Sequence, residues 1–230
     1  MPEIKSLVSS QSIFDCLTSS EKELLIANSS FHIFKKGIAL KNAQTSSSVI
    51  FLLKSGLVKR GQYSKNGREY DVEIIMPNHL FGILSLFNVE HEKPLFFEAL
   101  TTVEVLCVKK KHFLQLLNEN AIFSNALLKL TLNNIVKLEK NQFNLVFNNI
   151  EGRVAYFLLQ LAKDFSRNIG EELLVEHPLT QQDMASFIGL TRQTINQALV
   201  IFKEKGYIYI PERKKILIRN IKQLETIAMY

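Results

Sequence analysis

Arg192, Gln193, Asn196 and Gln197 are the side chains in this sequence whose types and spacing most directly suggest chemistry. In a helix, which returns every 3.6 residues, these positions share one face. Arginine there can donate two parallel hydrogen bonds to guanine, and Asn or Gln can pair bidentately with adenine in a major groove. Ile195 and Leu199 take the other side, with Ile201 and Phe202 behind them. The segment therefore reads as an amphipathic helix with a polar face suited to base edges.

Positioning such a helix needs a start, a turn and a partner. Thr191 is placed to cap it. Gly189 permits a tight left-handed turn just before it. A preceding helix is expected after Thr180, with Asp183 favouring its positive end and small Ala185 at its centre. A small residue, a turn glycine four on and a β-branched apolar six further suit two helices crossing near a right angle. From His177 to the end, eight basic residues stand against four acids. Lys203, Lys205 and the hairpin tip Arg213-Lys214-Lys215 are candidate phosphate contacts, although a charged tip can equally be plain solvated surface.

Further upstream the pattern changes twice. Residues 31–112 read as short strands with turns: VIFLL at 49–53, a strand from Leu57 to Ser64, a hairpin turn at Asn66-Gly67, REYDVEIIM, and the alternating EALTTVEVLCV at 98–108. Closely spaced antiparallel strands point to a small barrel or sandwich. From Lys111 to about Phe147 there is no Gly or Pro and the spacing becomes helical. Leu128, Ile135 and Gln142, interleaved with Thr131, Leu138 and Leu145, form a mixed coiled-coil seam. Such a helix either pairs with a second copy or lies on its own domain. Asn148–Gly152 reads as a hinge, followed by a helix over 153–164, a loop with Gly170, a strand at 173–175, the helix pair, and a hairpin of Tyr207–Ile210 and Ile216–Ile218.

Composition excludes several classes. No run of about 18 apolar residues exists for a membrane span, and the N-terminus lacks a signal-peptide layout. Cys16 and Cys107 are the only thiols in 230 residues. They offer neither a disulfide framework nor metal spacing and suit a reducing compartment. The five histidines are scattered, without HxH or HExxH spacing. No metal ligands and no catalytic residues are expected. The net charge of +6 allows an anionic partner without requiring one.

RVAYFLLQLAKDF, LTQQDMASFIGLTRQTINQAL, FKEKGYI and KKILI, following a strand-rich unit and a long helix, resemble the CRP/FNR transcription regulators from about Phe31 onward. More narrowly, VIFLLKSGLVKRGQYSKNGREYDVEIIMPNHLFGILSLF resembles the NtcA-type global nitrogen regulators of cyanobacteria and red-algal plastids, through FLLK-G-VK, FG-LSL and the closing VEVL. The resemblance implies an α+β chain. Residues 1–112 would form an antiparallel β-roll of the cyclic-nucleotide-binding kind with a short N-terminal helical segment. Residues 113–147 would be a dimerisation helix, and 148–230 a winged helix-turn-helix. It also implies a homodimer on double-stranded DNA, with recognition helices about one helical turn apart, RNA polymerase as a partner and no membrane contact. Arg192 falls on the family's base-reading arginine, while Gln197 stands where many relatives have a second arginine. Thr191, Arg192, Gln193, Asn196, Gln197, Lys203, Lys205, Arg213, Lys214 and Lys215 form the expected DNA-binding set.

The resemblance also bears on an effector. Phe81-Gly82 is followed by Ile83, so the ribose-binding carboxylate of the cyclic-nucleotide branch is missing, and no arginine lies between Arg68 and Arg153. Cyclic AMP is not expected. NtcA-type proteins are associated with 2-oxoglutarate, and their backbone N–H pattern is kept as Phe81-Gly82-Ile83-Leu84, with Glu139 on the family's helix glutamate. Their arginines are not kept: Leu95 or Lys93 stands at one position and Asn134 at the other. Lys93 or Lys137 can supply a point charge but not a bidentate fork. A degenerate pocket or a different ligand is the competing reading. Two thiols cannot hold an iron–sulfur cluster, and haem is not expected. A cupin-like enzyme would need clustered inward His and carboxylates, which are not evident. A signal-binding module contacting protein is the remaining alternative. Twenty-one lysines against seven arginines, with abundant Ile and Asn, suit an AT-rich genome. With the missing transit peptide, they lean toward a plastid-encoded protein of the stroma rather than a bacterial cytoplasmic one.

Overall fold

Five successive apolar residues in VIFLL require a strand buried on both faces. In the computed structural model, which describes residues 12–40, 49–64, 67, 69–87 and 95–228, β2 (Val49–Ser55) meets that requirement. Ile50 and Leu52 face one core and Phe51 and Leu53 another. β2 sits inside a four-stranded antiparallel sheet of order β1-β7-β2-β5, with β1 at Ser29–Phe34, β5 at Leu80–Phe81 and β7 at Val103–Lys109. A three-stranded sheet, β4-β3-β6, is built from β3 (Val58–Tyr63), β4 (Glu69–Ile75) and β6 (Leu95–Ala99). Strands of both sheets share a core of Phe51, Leu53, Val58, Ile75, Phe81, Phe97, Val105 and Cys107. The β3–β4 hairpin forms as expected, with Tyr63 opposite Glu69 and Gly67 at φ +74°; Asn66 lies outside the described residues.

The alternating stretch 98–108 is not one strand. β6 ends at Ala99 and pairs with β3, whereas β7 begins at Val103 and pairs with β1 and β2. The chain changes sheet at Leu100–Thr102, where Leu57 N–H donates to Thr101 Oγ1 at 3.0 Å and Leu100 N–H to the Leu57 carbonyl at 2.8 Å. Gly56 is fitted to this corner. It has φ +82°, and a Cβ there would stand 2.2 Å from the Thr102 carbonyl oxygen.

Helices cover the outer face of the four-stranded sheet. α1 (Ser19–Ala27) starts with a full capping box between Thr18 and Glu21. α2 (Lys110–Glu119) buries Phe113 and Leu116. The single helix expected over 113–147 is interrupted at Asn120, which has extended backbone. Asn120 Oδ1 accepts from Phe123 N–H at 3.0 Å, and its amide donates to Glu21 at 3.1 Å. A side-chain cap thus breaks a stretch without Gly or Pro, and the long helix is α3 (Ala121–Phe147), about 40 Å long. The chain divides into two compact units, Met1–Asn133 and Asn134–Tyr230, with the division inside α3.

Within the second unit the next helix starts one short step past α3. α4 (Ile150–Phe165) is capped by Asn149, whose Oδ1 accepts from Gly152 N–H at 2.8 Å. The break is therefore Asn148–Asn149, and Gly152, expected in a hinge, is buried within the helix. A Cβ there would come within 3.0 Å of the Asn148 side chain. β8 (Ser166–Ile169) and β9 (Glu172–Glu176) form a hairpin about Gly170. α5 (Gln181–Ile188), α6 (Arg192–Glu204), β10 (Ile208–Tyr209) and β11 (Lys215–Ile218) follow, giving the antiparallel order β10-β11-β9-β8. β8 and a final helix, α7 (Ile221–Ile227), are not anticipated by the sequence pattern. α7 is held by the fully buried Leu224 and by Asn148, which donates to the Ala228 carbonyl at 3.1 Å.

Candidate nucleic-acid interface

The helix pair is built from short-range signals. Thr180 and Asp183 form a reciprocal capping box at the start of α5, with Asp183 N–H donating to Thr180 Oγ1 at 3.1 Å and Thr180 N–H donating back to Asp183 at 2.7 Å. α5 ends on Gly189 in the left-handed conformation, φ 62° and ψ 36°. Thr191 caps α6 by accepting from Thr194 N–H at 3.1 Å. Arg153 of α4 fixes the corner by donating to the Ile188 carbonyl. α6 buries Ile195, Ala198, Leu199 and Phe202, the spacing of one helical stripe. Its other side presents Arg192, Gln193 and Gln197, all exposed, and the half-buried Asn196. Among the described residues the side chains of Arg192, Gln193 and Gln197 make no hydrogen bond or ion pair. These four residues, with Val200 and Ile201, line one open hollow along the helix.

The cations around this face divide into two kinds. Lys203, Arg213 and Lys214 make no ion pair among the described residues. Lys205 pairs with Glu151 at 3.3 Å. Lys215 lies 3.0 Å from Glu176 and 2.6 Å from Glu212. Hydrogen bonds from Lys215 and Arg167 hold the Glu176 carboxyl below its ordinary range. A purely sequential reading weights Arg213, Lys214 and Lys215 equally, because β9 and its Glu176 are distant in the chain and adjacent only in the sheet.

Between the β10–β11 wing and α5 lies a cleft of about 550 Å³, lined by His177, Thr180, Gln181, Arg192, Arg213 and Lys214 among others. Nothing in the sequence pattern singles out His177. It is buried, its N–H donates to the Lys214 carbonyl at 3.1 Å, and its Nδ1 has no partner. Burial, and then the Lys214 charge, push its pKa down to about 4. Val200 is also missing from the expected DNA-binding set, although its spacing three residues after Gln197 puts it on the same face.

The expected effector residues fall in both units, and each is described within its own. Phe81 is a core residue, stacked on Phe51 at 4.9 Å and tilted against Phe97 at 5.1 Å between centroids. Gly82 has φ +80°, and Ile83–Phe87 form a short 3-10 helix containing the half-buried Ile83 and Leu84. Lys93 lies outside the described residues. Glu139 is exposed on α3, in the second unit. Among the described residues, no group of three or more His, Cys, Asp or Glu could hold a metal. Burial raises the Cys107 thiol to about 11.

Comparison with known proteins follows the same division of the chain. Residues 31–120 match the cyclic nucleotide-binding domain family and residues 152–227 the Crp-like helix-turn-helix domain family. The chain is 33% identical over 177 residues, 76% of its length and 77% of the relative's, to the CRP-like cAMP-activated global transcriptional regulator of Mycobacterium tuberculosis. It is 32% identical over 168 residues, 72% of its length and 74% of the relative's, to the global nitrogen regulator of Nostoc sp. PCC 7120. In fold it resembles FixK2 from Bradyrhizobium japonicum, with a TM-score of 0.75 and 19% identity over 88% of this chain and 98% of that one. Sheet order, helix pair, wing and these similarities agree: the chain belongs to the CRP/FNR family of DNA-binding transcription regulators.

Proposed function

We propose that this chain is a homodimeric, nitrogen-responsive activator that reads operator DNA with α6 and is regulated by a small anionic effector resembling 2-oxoglutarate. The observation carrying the DNA part is the capped α6, whose outward face offers Arg192, Gln193 and Gln197 with no intramolecular partner among the described residues. Dimerisation is supported by an exposed apolar stripe on α3: Leu128, Leu132, Ile135, Val136, Phe143 and Val146. Leu128, Leu132, Ile135 and Val146 fall on the three- and four-residue alternation of a coiled-coil seam, whose remaining positions are Glu139 and Gln142. Of the expected seam, Leu128, Ile135, Leu138 and Gln142 are exposed and Thr131 and Leu145 half-buried, with Leu132 and Phe143 exposed beside it. An activator of this kind acts on RNA polymerase, and coupling would run through two arrangements of the α3 pair.

The nitrogen-regulator branch is supported by the similarity to the Nostoc protein and by the backbone at Phe81–Leu84. One observation favours a different effector: among the described residues, Phe81 packs on both Phe51 and Phe97 in the core shared by the two sheets. Calorimetric titration of the full chain with 2-oxoglutarate separates the two. Saturable binding abolished by Glu139→Ala and weakened by Lys93→Ala supports the 2-oxoglutarate reading. Absence of heat at millimolar ligand, with DNA binding intact, supports a roll that is degenerate or tuned to another ligand.

A further inference from the structure

The reading face of α6 is not polar throughout. Val200 lies on it at 50% exposure, and Ile201 beside it is half-buried. Single exposed apolar residues are ordinary on protein surfaces. Val200 differs because it shares one hollow with Arg192, Gln193, Asn196 and Gln197. It follows Asn196 by four residues and Gln197 by three, so it stands one turn further along the same face. At 1.5 Å per residue it is roughly 12 Å along the axis from Arg192 but only about 4.5 Å from Gln197. With base pairs about 3.4 Å apart, Gln197 and Val200 reach the same or neighbouring pairs, and Arg192 a different one.

Folding gives no reason for a valine there. The buried stripe of α6 is Ile195, Ala198, Leu199 and Phe202, and a β-branched residue is a weaker helix former than the straight-chain polar residues that would suit a solvated position. A match exists in the major groove. Every A·T pair shows an adenine edge that a Gln amide can bond twice and a thymine C5-methyl that an apolar side chain can cover. Gln197 has the chemistry for the first contact and Val200 for the second.

We infer that Gln197 and Val200 act as a joint A·T reader, so that each half-site carries G·C under Arg192 and A·T under this pair, with the thymine methyl packed on Val200. The inference rests on the proposed DNA reading of α6 and adds its base preference. It makes Val200 a specificity residue and Gln197 the residue that sets the base preference.

The test begins with selection of bound duplexes from a pool with randomised, two-fold symmetric half-sites, using the full chain. Each thymine of the selected half-site is then replaced by deoxyuridine, which lacks only the methyl. At one thymine, wild type is expected to lose about fourfold per half-site, the value of one buried methyl group. Val200→Ala should bind the thymine and uracil duplexes equally. Gln197→Arg should move the preference at its position from A·T to G·C by roughly tenfold or more. A selected site with G·C under Gln197, or a methyl effect that Val200→Ala leaves unchanged, overturns the inference while leaving α6 a DNA reader. A pool that yields no enriched sequence with wild type removes the DNA reading itself and the inference with it.

Discussion

The Lys215 ammonium lies 3.0 Å from the Glu176 carboxylate, on the neighbouring strand of the wing sheet. A cation so engaged, and also paired with Glu212, must give up those partners before it can meet a phosphate. Lys214 and Arg213, one and two residues earlier, have no such ties among the described residues. Binding measured against salt should therefore distinguish them. Lys214→Ala or Arg213→Ala should flatten the slope of log affinity against log salt by about one unit for each phosphate left unneutralised. Lys215→Ala should leave the slope near the wild-type value, and the reverse order would place the phosphate on Lys215.

The Thr180–Asp183 capping box gives a stability prediction. Thr180→Ala removes the acceptor for Asp183 N–H and the hydroxyl that donates to the Asp183 carboxylate, and leaves only the backbone half of the box. A cost of about 1 kcal/mol is expected in denaturant unfolding. Thr180→Ser should recover most of it, and equal losses in the two variants would show that the methyl, not the cap, matters.

His177 makes acid stability specific to one window. Its folded pKa of about 4 lies below the ordinary 6.5 because burial, and then Lys214, disfavour its charged form. Between those values the unfolded chain binds a proton that the folded chain refuses, so stability falls as pH drops from about 6.5 to about 4 and is unaffected above it. The contribution approaches roughly 3 kcal/mol at the acid end. His177→Gln should remove this slope, and an unchanged slope in that variant would assign the acid sensitivity elsewhere.

The exposed stripe on α3 predicts where dimerisation fails. Leu132→Lys should weaken the dimer by at least about tenfold in sedimentation, since burying an unpaired ammonium costs more than the roughly 1.4 kcal/mol of one decade. Thr131→Lys, on a half-buried position whose hydroxyl bonds the Leu127 carbonyl at 2.9 Å, tests the alternative seam. A dimer intact in the first and broken in the second would restore Thr131 to the interface.

These features differ in how far they can be read along the chain. Thr180, Asp183, Gly189 and Thr191 are legible because caps and turns act within four residues. So is the two-faced burial of VIFLL, because the pattern itself records it. The break at Asn120 is hidden because a side-chain cap needs neither Gly nor Pro, and part of its anchoring is to Glu21, far back in the sequence. The change of sheet at Leu100–Thr102 is hidden because both strands alternate in the same way. α7 is a short helix whose anchor, Asn148, lies 80 residues earlier. Lys205 and Lys215 read as available cations until the fold brings Glu151 and Glu176 beside them. Local chemistry is visible in the sequence, and pairing over distance is not.

In the proposed function α6 reads base edges, with Arg192 on a guanine. The most direct test of this is titration of the full chain onto the two-fold symmetric duplex selected from the randomised pool, beside a scrambled duplex, for wild type and Arg192→Ala. A loss of roughly 1–3 kcal/mol is expected on the specific duplex and a much smaller loss on the scrambled one. Equal losses on both would make Arg192 a phosphate contact and contradict the account.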